Sequence, residues 1–148
     1  MLWDIAEARR AGADGVVIGL LDRSGSIELE WTARLAQAAR PLAVTFHRAV
    51  DRTPDVGASI EALARLGIDR VLTSGGAPTA VEGLGALARL VREAGSRIGI
   101  LPGGQVRGDN VARIVQATGA SEIHVGFPAG AEPGRVELIA AALRRTAG

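Results

Sequence analysis

Three residues that can move a proton or bind an anion follow one short apolar stretch: His47, Arg48 and Asp51. The stretch before them, residues 42–46, begins after Pro41 and has the length and alternation of a buried strand. A neutral imidazole can bind a metal or act as a general base, and a guanidinium can bind an anion. Because α/β folds keep their sites at the carboxyl ends of strands, this position predicts a catalytic role for all three. The alternative is that Arg48 pairs with Asp51 and braces the loop.

Two glycine-rich turns follow later apolar stretches and add candidate binding groups. Thr73, Ser74 and Gly75 end one stretch, and Gly103 and Gly104 follow another. Turns of this kind can bind phosphate through backbone N–H groups. The alternative is that glycine only permits a tight turn from strand to helix. The sequence has neither a Gly-x-Gly-x-x-Gly pattern nor a phosphate-loop lysine, so we expect a small anion and no nucleotide cofactor.

Both histidines of the chain are candidate metal ligands. His47 could bind Cu(II) or Zn(II) with a carboxylate from Asp51 or Glu122, whereas His124 is expected across the barrel, too far away to share that ion. Cu(I) prefers sulfur ligands, but the chain has no cysteine and its single methionine is Met1. The alternative is that both imidazoles are hydrogen-bonded interior groups, a role that the mid-strand position of His124 favours.

The composition is that of a globular protein, with 47% hydrophobic and 22% charged residues among 148. The formal net charge is +1 and no basic stripe stands out, so nucleic acid is not an expected partner. All 17 basic residues are arginine, which excludes lysine Schiff-base chemistry, and the lack of cysteine excludes thiolate nucleophiles. No apolar run approaches the ~20 residues of a membrane span, and the first residues lack a signal-peptide pattern. We therefore expect a cytoplasmic protein without membrane contact.

Strand and helix patterns alternate along the chain. The predicted strands cover residues 15–21, 42–47, 70–74, 97–101 and 121–126. The predicted helices cover residues 1–11, 29–40, 53–66, 79–94, 110–118 and 133–145, with Thr53 and Thr79 as capping residues. This order predicts one α/β domain, residues 1–148, built on a parallel sheet with crossover helices.

Alternation within each strand predicts which side chains share a face of the sheet. The face that packs under helices is predicted to carry Val16, Ile18, Leu20, Leu42, Val44, Phe46, Ile123 and Val125. The inner face is predicted to carry Val17, Gly19, Thr45, His47, Thr73, Gly99, Glu122, His124 and Gly126. Because this inner set is small or polar, we expect His47, Arg48, Thr73 and His124 to surround a pocket.

Five short motifs occur in an order and spacing that resemble the CutC family, which is named for copper homeostasis. They lie at residues 13–17, 44–49, 70–75, 102–106 with Asn110, and 122–124. The resemblance implies an incomplete (β/α)8 barrel of the TIM type, formed by the last five of eight strand–helix units. It also implies copper as a cofactor. The chain departs from the family pattern at Gln105 and after His124.

Five strands cannot close a barrel, so both edges of the sheet and its apolar inner face would be exposed. We therefore expect a homo-oligomer in which another copy of the chain covers the open side. Three functions follow as hypotheses. The family resemblance implies a role in copper homeostasis, the polar inner face favours an enzyme acting on a small anionic or phosphorylated substrate, and the incomplete barrel favours a non-catalytic oligomeric remnant.

Overall fold

The structure is a computed structural model that describes residues 1–126 and 134–144. Its strands are β1 (Gly15–Ile18), β2 (Ala43–Phe46), β3 (Arg70–Thr73) and β4 (Gly99–Pro102). Its helices are α1 (Leu2–Arg10), α2 (Leu29–Ala39), α3 (Val56–Arg65), α4 (Leu84–Ala94), α5 (Val111–Thr118) and α6 (Arg135–Arg144). A short 3-10 helix, Arg48–Arg52, follows β2. Pro133 and Arg145, the predicted bounds of the last helix, lie outside the described residues.

The four strands form one parallel sheet in the order β1-β2-β3-β4. One row across the sheet joins Ile18, Phe46, Val71 and Ile100, all of them buried. Each fully buried side chain of this size contributes about 1.5–3 kcal/mol, so the row forms the centre of the core beneath the helices. The parallel α/β architecture confirms the class of fold predicted from the sequence. No helix in the part of the chain that the structure describes is long and apolar enough to cross a membrane.

The predicted fifth strand is not formed. Residues 121–126 run beside β4, but the one backbone hydrogen bond between them within the described residues joins His124 N to Pro102 O at 2.9 Å. A strand needs a ladder of such bonds, and one contact does not make it. Glu122 instead extends across the sheet to Arg70, with 2.6 Å between Oε2 and Nε. The first strand is also shorter than predicted, because its ladder with β2 ends at Ile18 and Leu21 instead forms an antiparallel bridge with Ile27.

Helix α3 begins later than predicted because a different residue caps it. The carboxylate of Asp55 accepts the N–H of Ala58 at 2.9 Å, which makes Asp55 the N-cap. The hydroxyl of Thr53 instead donates to Val50 O at 2.8 Å. The predicted cap, Thr53, therefore closes the preceding 3-10 turn.

Helix α4 likewise begins at Leu84, and the predicted cap Thr79 stands a full turn before it. The Thr79 hydroxyl accepts the N–H of Glu82 at 3.2 Å, so it stabilises the turn that leads into the helix. The N-cap is Gly83, which has no side chain to cap with. Glycine is required at this position because a Cβ would stand 1.8 Å from the backbone oxygen of Ser74.

The other face of the sheet is open and carries Val17, Thr45, Arg70 and Gly99 side by side. The prediction that Thr73 shares this face is wrong. Thr73 lies two residues after the buried Val71, is itself 0% exposed, and faces the same side. Val71 and Leu72 are both apolar, so alternation alone could not set the phase of β3; its register with β2 does.

Candidate functional site

The predicted site residues lie at the carboxyl edge of the parallel sheet. Strand β2 ends at His47 and the 3-10 helix Arg48–Arg52, while β3 runs into Ser74 and β4 runs into Gly103. Because parallel strands end at the same edge, the three loops after them converge there. Side chains of Asp51 and Arg48 join the first two loops, since Asp51 accepts from Ser74 N and Arg48 donates to Ser74 Oγ.

Asp51 is the centre of this edge, and its side chain is only 7% exposed. Its carboxylate accepts hydrogen bonds from the Thr73 hydroxyl, from Ser74 N at 3.1 Å and Oγ at 3.0 Å, and from Gly76 N at 3.0 Å. It also accepts from Arg48 Nε at 2.8 Å. The first glycine-rich turn therefore does cradle an anion, and that anion is the chain's own carboxylate.

The environment of Asp51 acts on its pKa in two directions. Burial raises the pKa of the carboxyl, whereas hydrogen bonds from Thr73, Arg48, Gly76 and Ser74 lower it. The hydrogen bonds prevail, and the pKa of Asp51 lies below its ordinary value. The carboxyl is thus held in its charged form, which suits an acceptor for five donors rather than a group that exchanges protons near neutral pH.

Arg48 is fixed at two of its three nitrogens. Nε donates to Asp51, and Nη2 donates to Ser74 Oγ at 2.6 Å and to Ala77 O at 3.3 Å. Nη1 donates to no acceptor among residues 1–126 and 134–144, and it lies 3.0 Å from where a Cβ on Gly104 would stand. The loop brace considered from the sequence is present, and within the described residues it leaves Nη1 without an acceptor beside the second glycine-rich turn.

The second turn, residues 103–106, differs from the first in its unused N–H groups. Gly103 N donates to Thr73 O at 2.9 Å, but the amides of Gly104, Gln105 and Val106 donate to no acceptor in the described part of the chain. Gly104 has φ +106° and Gln105 has φ +55°, a left-handed conformation that is rare for residues other than glycine. Consecutive free amides in such a turn form a concave site for anions.

His47 has a structural role that limits its chemistry. Its Nδ1 accepts the N–H of Ala49 at 3.1 Å and so caps the 3-10 helix. The ring packs over Gly19, where a Cβ would stand only 2.1 Å from Cε1. Because Nδ1 uses its lone pair in this bond, the neutral ring carries its proton on Nε2 and offers no free lone pair to a metal or a substrate.

His124 lies in an open cleft of about 230 Å³ at the same edge. The cleft is lined by Arg48, Leu72, Gly104, Gln105, Val106, His124 and Gly126. The structure thus brings Arg48, Gly104 and His124 together, whereas it places His47 outside the lining of this cleft. Leu72 and Val106 were not predicted, because an apolar residue in a strand or turn carries no signal that it lines a cleft.

The donor set does not fit a copper ion. The described residues contain no group of three or more His, Cys, Asp or Glu side chains spaced to hold a metal. The chain has no cysteine, its one methionine is Met1, and Nδ1 of His47 is engaged. Within the described residues, the predicted ligands His47 and His124 therefore lack the further donors that a tight copper site needs.

These elements and this edge define an incomplete α/β barrel of the TIM type, with its candidate site at the carboxyl ends of the strands. The model of the CutC family matches residues 1–129. A CutC family protein of Xanthomonas axonopodis pv. citri is 46% identical over 124 residues, which cover 84% of this chain and 52% of that protein. The chain belongs to the CutC family.

Two further relatives agree with this assignment. The human copper homeostasis protein cutC homolog is 46% identical over 124 residues, covering 84% of this chain and 45% of that protein. The crystal structure of CutC from Streptococcus agalactiae has a TM-score of 0.78 and 33% identity, covering 83% of this chain and 60% of that chain. The chain spans about half the length of the curated relatives that it matches.

Proposed function

We propose that this chain forms an anion-binding edge of a CutC-type barrel and binds the phosphate or similar group of a small molecule. One observation carries the proposal. Arg48, Gly104, Gln105 and Val106 line one cleft, and Arg48 Nη1 and three consecutive amides there have no acceptor in the described residues. Water can pair with these donors in the open cleft, and an anion can replace it at several of them at once.

The brace around Arg48 supports the proposal because it orients the guanidinium in advance. Asp51 and Ser74 hold Nε and Nη2, so Nη1 needs little further ordering when it meets a ligand. The charge of Arg48 is offset by Asp51, so the affinity depends on local hydrogen bonds more than on net charge. We expect a dissociation constant between micromolar and millimolar for phosphate alone.

The cleft suits a small ligand group. Its volume is about 230 Å³, and Leu72 and Val106 supply apolar wall. A phosphate group with a few carbon atoms fits this space.

A second candidate function is an enzyme that acts on such a ligand, and the position of His124 favours it. His124 lines the cleft with Arg48, while His47 is committed to capping the 3-10 helix. In this role Arg48 holds the anionic group and His124 takes up or releases a proton near it. Loss of turnover with retained phosphate binding in His124→Gln would separate catalysis from binding.

At the level of the family, we extend to this chain the role in copper homeostasis that names its relatives. That role rests on those names and on family membership. The donors in the described residues supply no copper site of their own, so the ligand proposed for the cleft is an anion.

Replacing Arg48 with methionine will weaken phosphate binding by about tenfold or more, because a charge-assisted hydrogen bond is worth about 1.5–3 kcal/mol. Isothermal titration calorimetry with inorganic phosphate measures the change. Arg52→Met is the matched control, since Arg52 is exposed on the same 3-10 helix and does not line the cleft.

A second variant is needed because Arg48→Met also removes the hydrogen bond between Arg48 and Asp51. Gly104→Ala keeps Arg48 but places a methyl group 3.0 Å from Nη1 and strains a turn with φ +106°, whereas Gly119→Ala, at φ +69°, meets nothing within 4 Å. We expect Gly104→Ala to lose binding and Gly119→Ala to retain it. Equal binding by all these variants, or no binding by the wild type up to about 10 mM phosphate, would overturn the proposal.

A further inference from the structure

Exposed apolar side chains cluster around α1 and β1. Five of the seven large hydrophobic residues that are exposed in the described part of the chain lie on α1, on β1, just before α1, or on α2 where it faces α1. They are Met1, Leu2, Trp3, Val17 and Trp31. We call this surface the β1 flank. Of the other two, Leu29 lines a hollow against α3 and Val136 lies on α6.

Two hollows in the β1 flank show that its packing is incomplete. One, of about 290 Å³, lies between α1 and β1 and is lined by Ile5 and Val17 among others. The other, of about 400 Å³, lies between α1 and α2 and is lined by Leu2 and Trp31 among others. The charged groups in their lining are Asp4 and the N-terminal ammonium of Met1, which pair at 2.7 Å. Such mostly apolar walls suit a protein surface better than a small polar ligand.

The edge of the sheet on this flank is also free. Strand β1 pairs with β2, and within the described residues it pairs with no other strand. The carbonyls of Asp14 and Ile18 accept from Ala43 and His47 at 3.0 and 2.8 Å. Because successive residues of a strand point their backbone groups to opposite sides, the N–H and C=O of Val17 point to the outer edge. Such an edge invites pairing with another strand.

The opposite edge of the same sheet is incomplete as well. Residues 121–126 are held beside β4 by the single backbone bond from His124 N to Pro102 O, and they form no ladder. A barrel closes by pairing the two edges of its sheet, and here one edge is unpaired and the other is held by a single backbone bond.

We propose that the β1 flank binds a second copy of this chain, so that β1 of one copy lies against residues 121–126 of the other. Each copy has a free edge at β1 and an underused edge at residues 121–126 of the same sheet. A two-fold axis along the barrel places β1 of one copy parallel to residues 121–126 of the other, and the reverse contact follows by symmetry. A second copy thereby satisfies both edges, which a partner at one edge alone does not.

Measurement of molar mass by light scattering and analytical ultracentrifugation tests this proposal on the full chain. We expect a mass of twice 15.2 kDa at about 100 µM and dissociation on dilution. Val17→Lys places a charge on the β1 flank and is expected to yield a folded monomer. Val136→Lys is the matched control, since Val17 is 64% and Val136 60% exposed, and it should remain dimeric.

Tryptophan fluorescence gives a second readout, because both tryptophans of the chain, Trp3 and Trp31, lie on the β1 flank. Dilution of the wild type should shift the emission to longer wavelength, and Val17→Lys should show that emission at every concentration. A monomeric wild type with native circular dichroism at about 100 µM contradicts the proposal. A trimer or larger ring also contradicts it, as does a dimer that persists in both Val17→Lys and Leu2→Glu.

Discussion

Replacing Asp51 with asparagine will lower the free energy of unfolding by about 2–4 kcal/mol, because a buried acceptor of charged and neutral hydrogen bonds is lost. Asparagine keeps the shape of the side chain, but its NH2 group replaces one oxygen and there meets a donor: Gly76 N at the position of Oδ1, or Arg48 Nε at that of Oδ2. Urea denaturation followed by circular dichroism measures the loss. It should appear as a lower midpoint with an unchanged slope.

Asp55→Asn is the matched control for this experiment. Asp55 is exposed and caps α3 through the N–H of Ala58, and asparagine caps a helix about as well as aspartate. A change of less than about 0.5 kcal/mol is expected there. If Asp51→Asn costs no more than Asp55→Asn, the carboxylate is not the centre of the edge.

The same carboxylate predicts a dependence of stability on pH. Although burial raises the pKa of Asp51, its hydrogen bonds outweigh this, so the pKa in the folded state is below that in the unfolded state. The charged form therefore contributes stability above about pH 4, and this contribution is lost as pH falls through the folded-state pKa. Other carboxyls, such as that of Glu61 beside Arg97, also have a lowered pKa. The difference between wild type and Asp51→Asn should therefore shrink below pH 4 and isolate Asp51.

Replacing Gly83 with alanine will destabilise the fold by about 3 kcal/mol or more, an effect typical of severe overpacking. A Cβ on Gly83 would stand 1.8 Å from the backbone oxygen of Ser74, and a backbone oxygen cannot move aside as a flexible side chain can. Helix α4 would have to move away from the turn after β3. Thermal and urea denaturation measure the loss.

Gly85→Ala provides a control two residues away, within helix α4. A Cβ there meets nothing within 4 Å, and alanine is favoured over glycine in a helix by about 0.5–1 kcal/mol. The two substitutions should therefore change stability in opposite directions. A similar loss in both would show that the close packing of Gly83 against Ser74 does not decide the outcome.

The sequence predicted the parallel α/β order because apolar stretches and glycine-closed helices are local signals. It could not set the phase of β3, where Val71 and Leu72 are both apolar and the neighbouring strands decide. It also could not show that residues 121–126 lack a ladder, since pairing is a long-range property. The cap of α3 shows the same limit, because Thr53 and Asp55 compete for one role and packing selects Asp55.

The candidate site shows a similar division between local and long-range information. The pair formed by Arg48 and Asp51 could be considered from their spacing of three residues. That Asp51 also fills the turn at Ser74 depends on contacts over 23 positions of sequence. That Nη1 and the amides of residues 104–106 have no acceptor within the described residues also depends on long-range contacts. Sequence alone could therefore suggest two equivalent turns but could not distinguish them.

The contrast between the two turns can be measured directly by nuclear magnetic resonance. In a titration of 15N-labelled protein with inorganic phosphate, the amides of Gly104, Gln105 and Val106 should shift with a common dissociation constant. The amide resonances of Ser74 and Gly76, whose N–H groups donate to Asp51, should not shift. Shifts confined to Ser74 and Gly76, or no saturable shift at residues 104–106, would contradict an anion site at this edge.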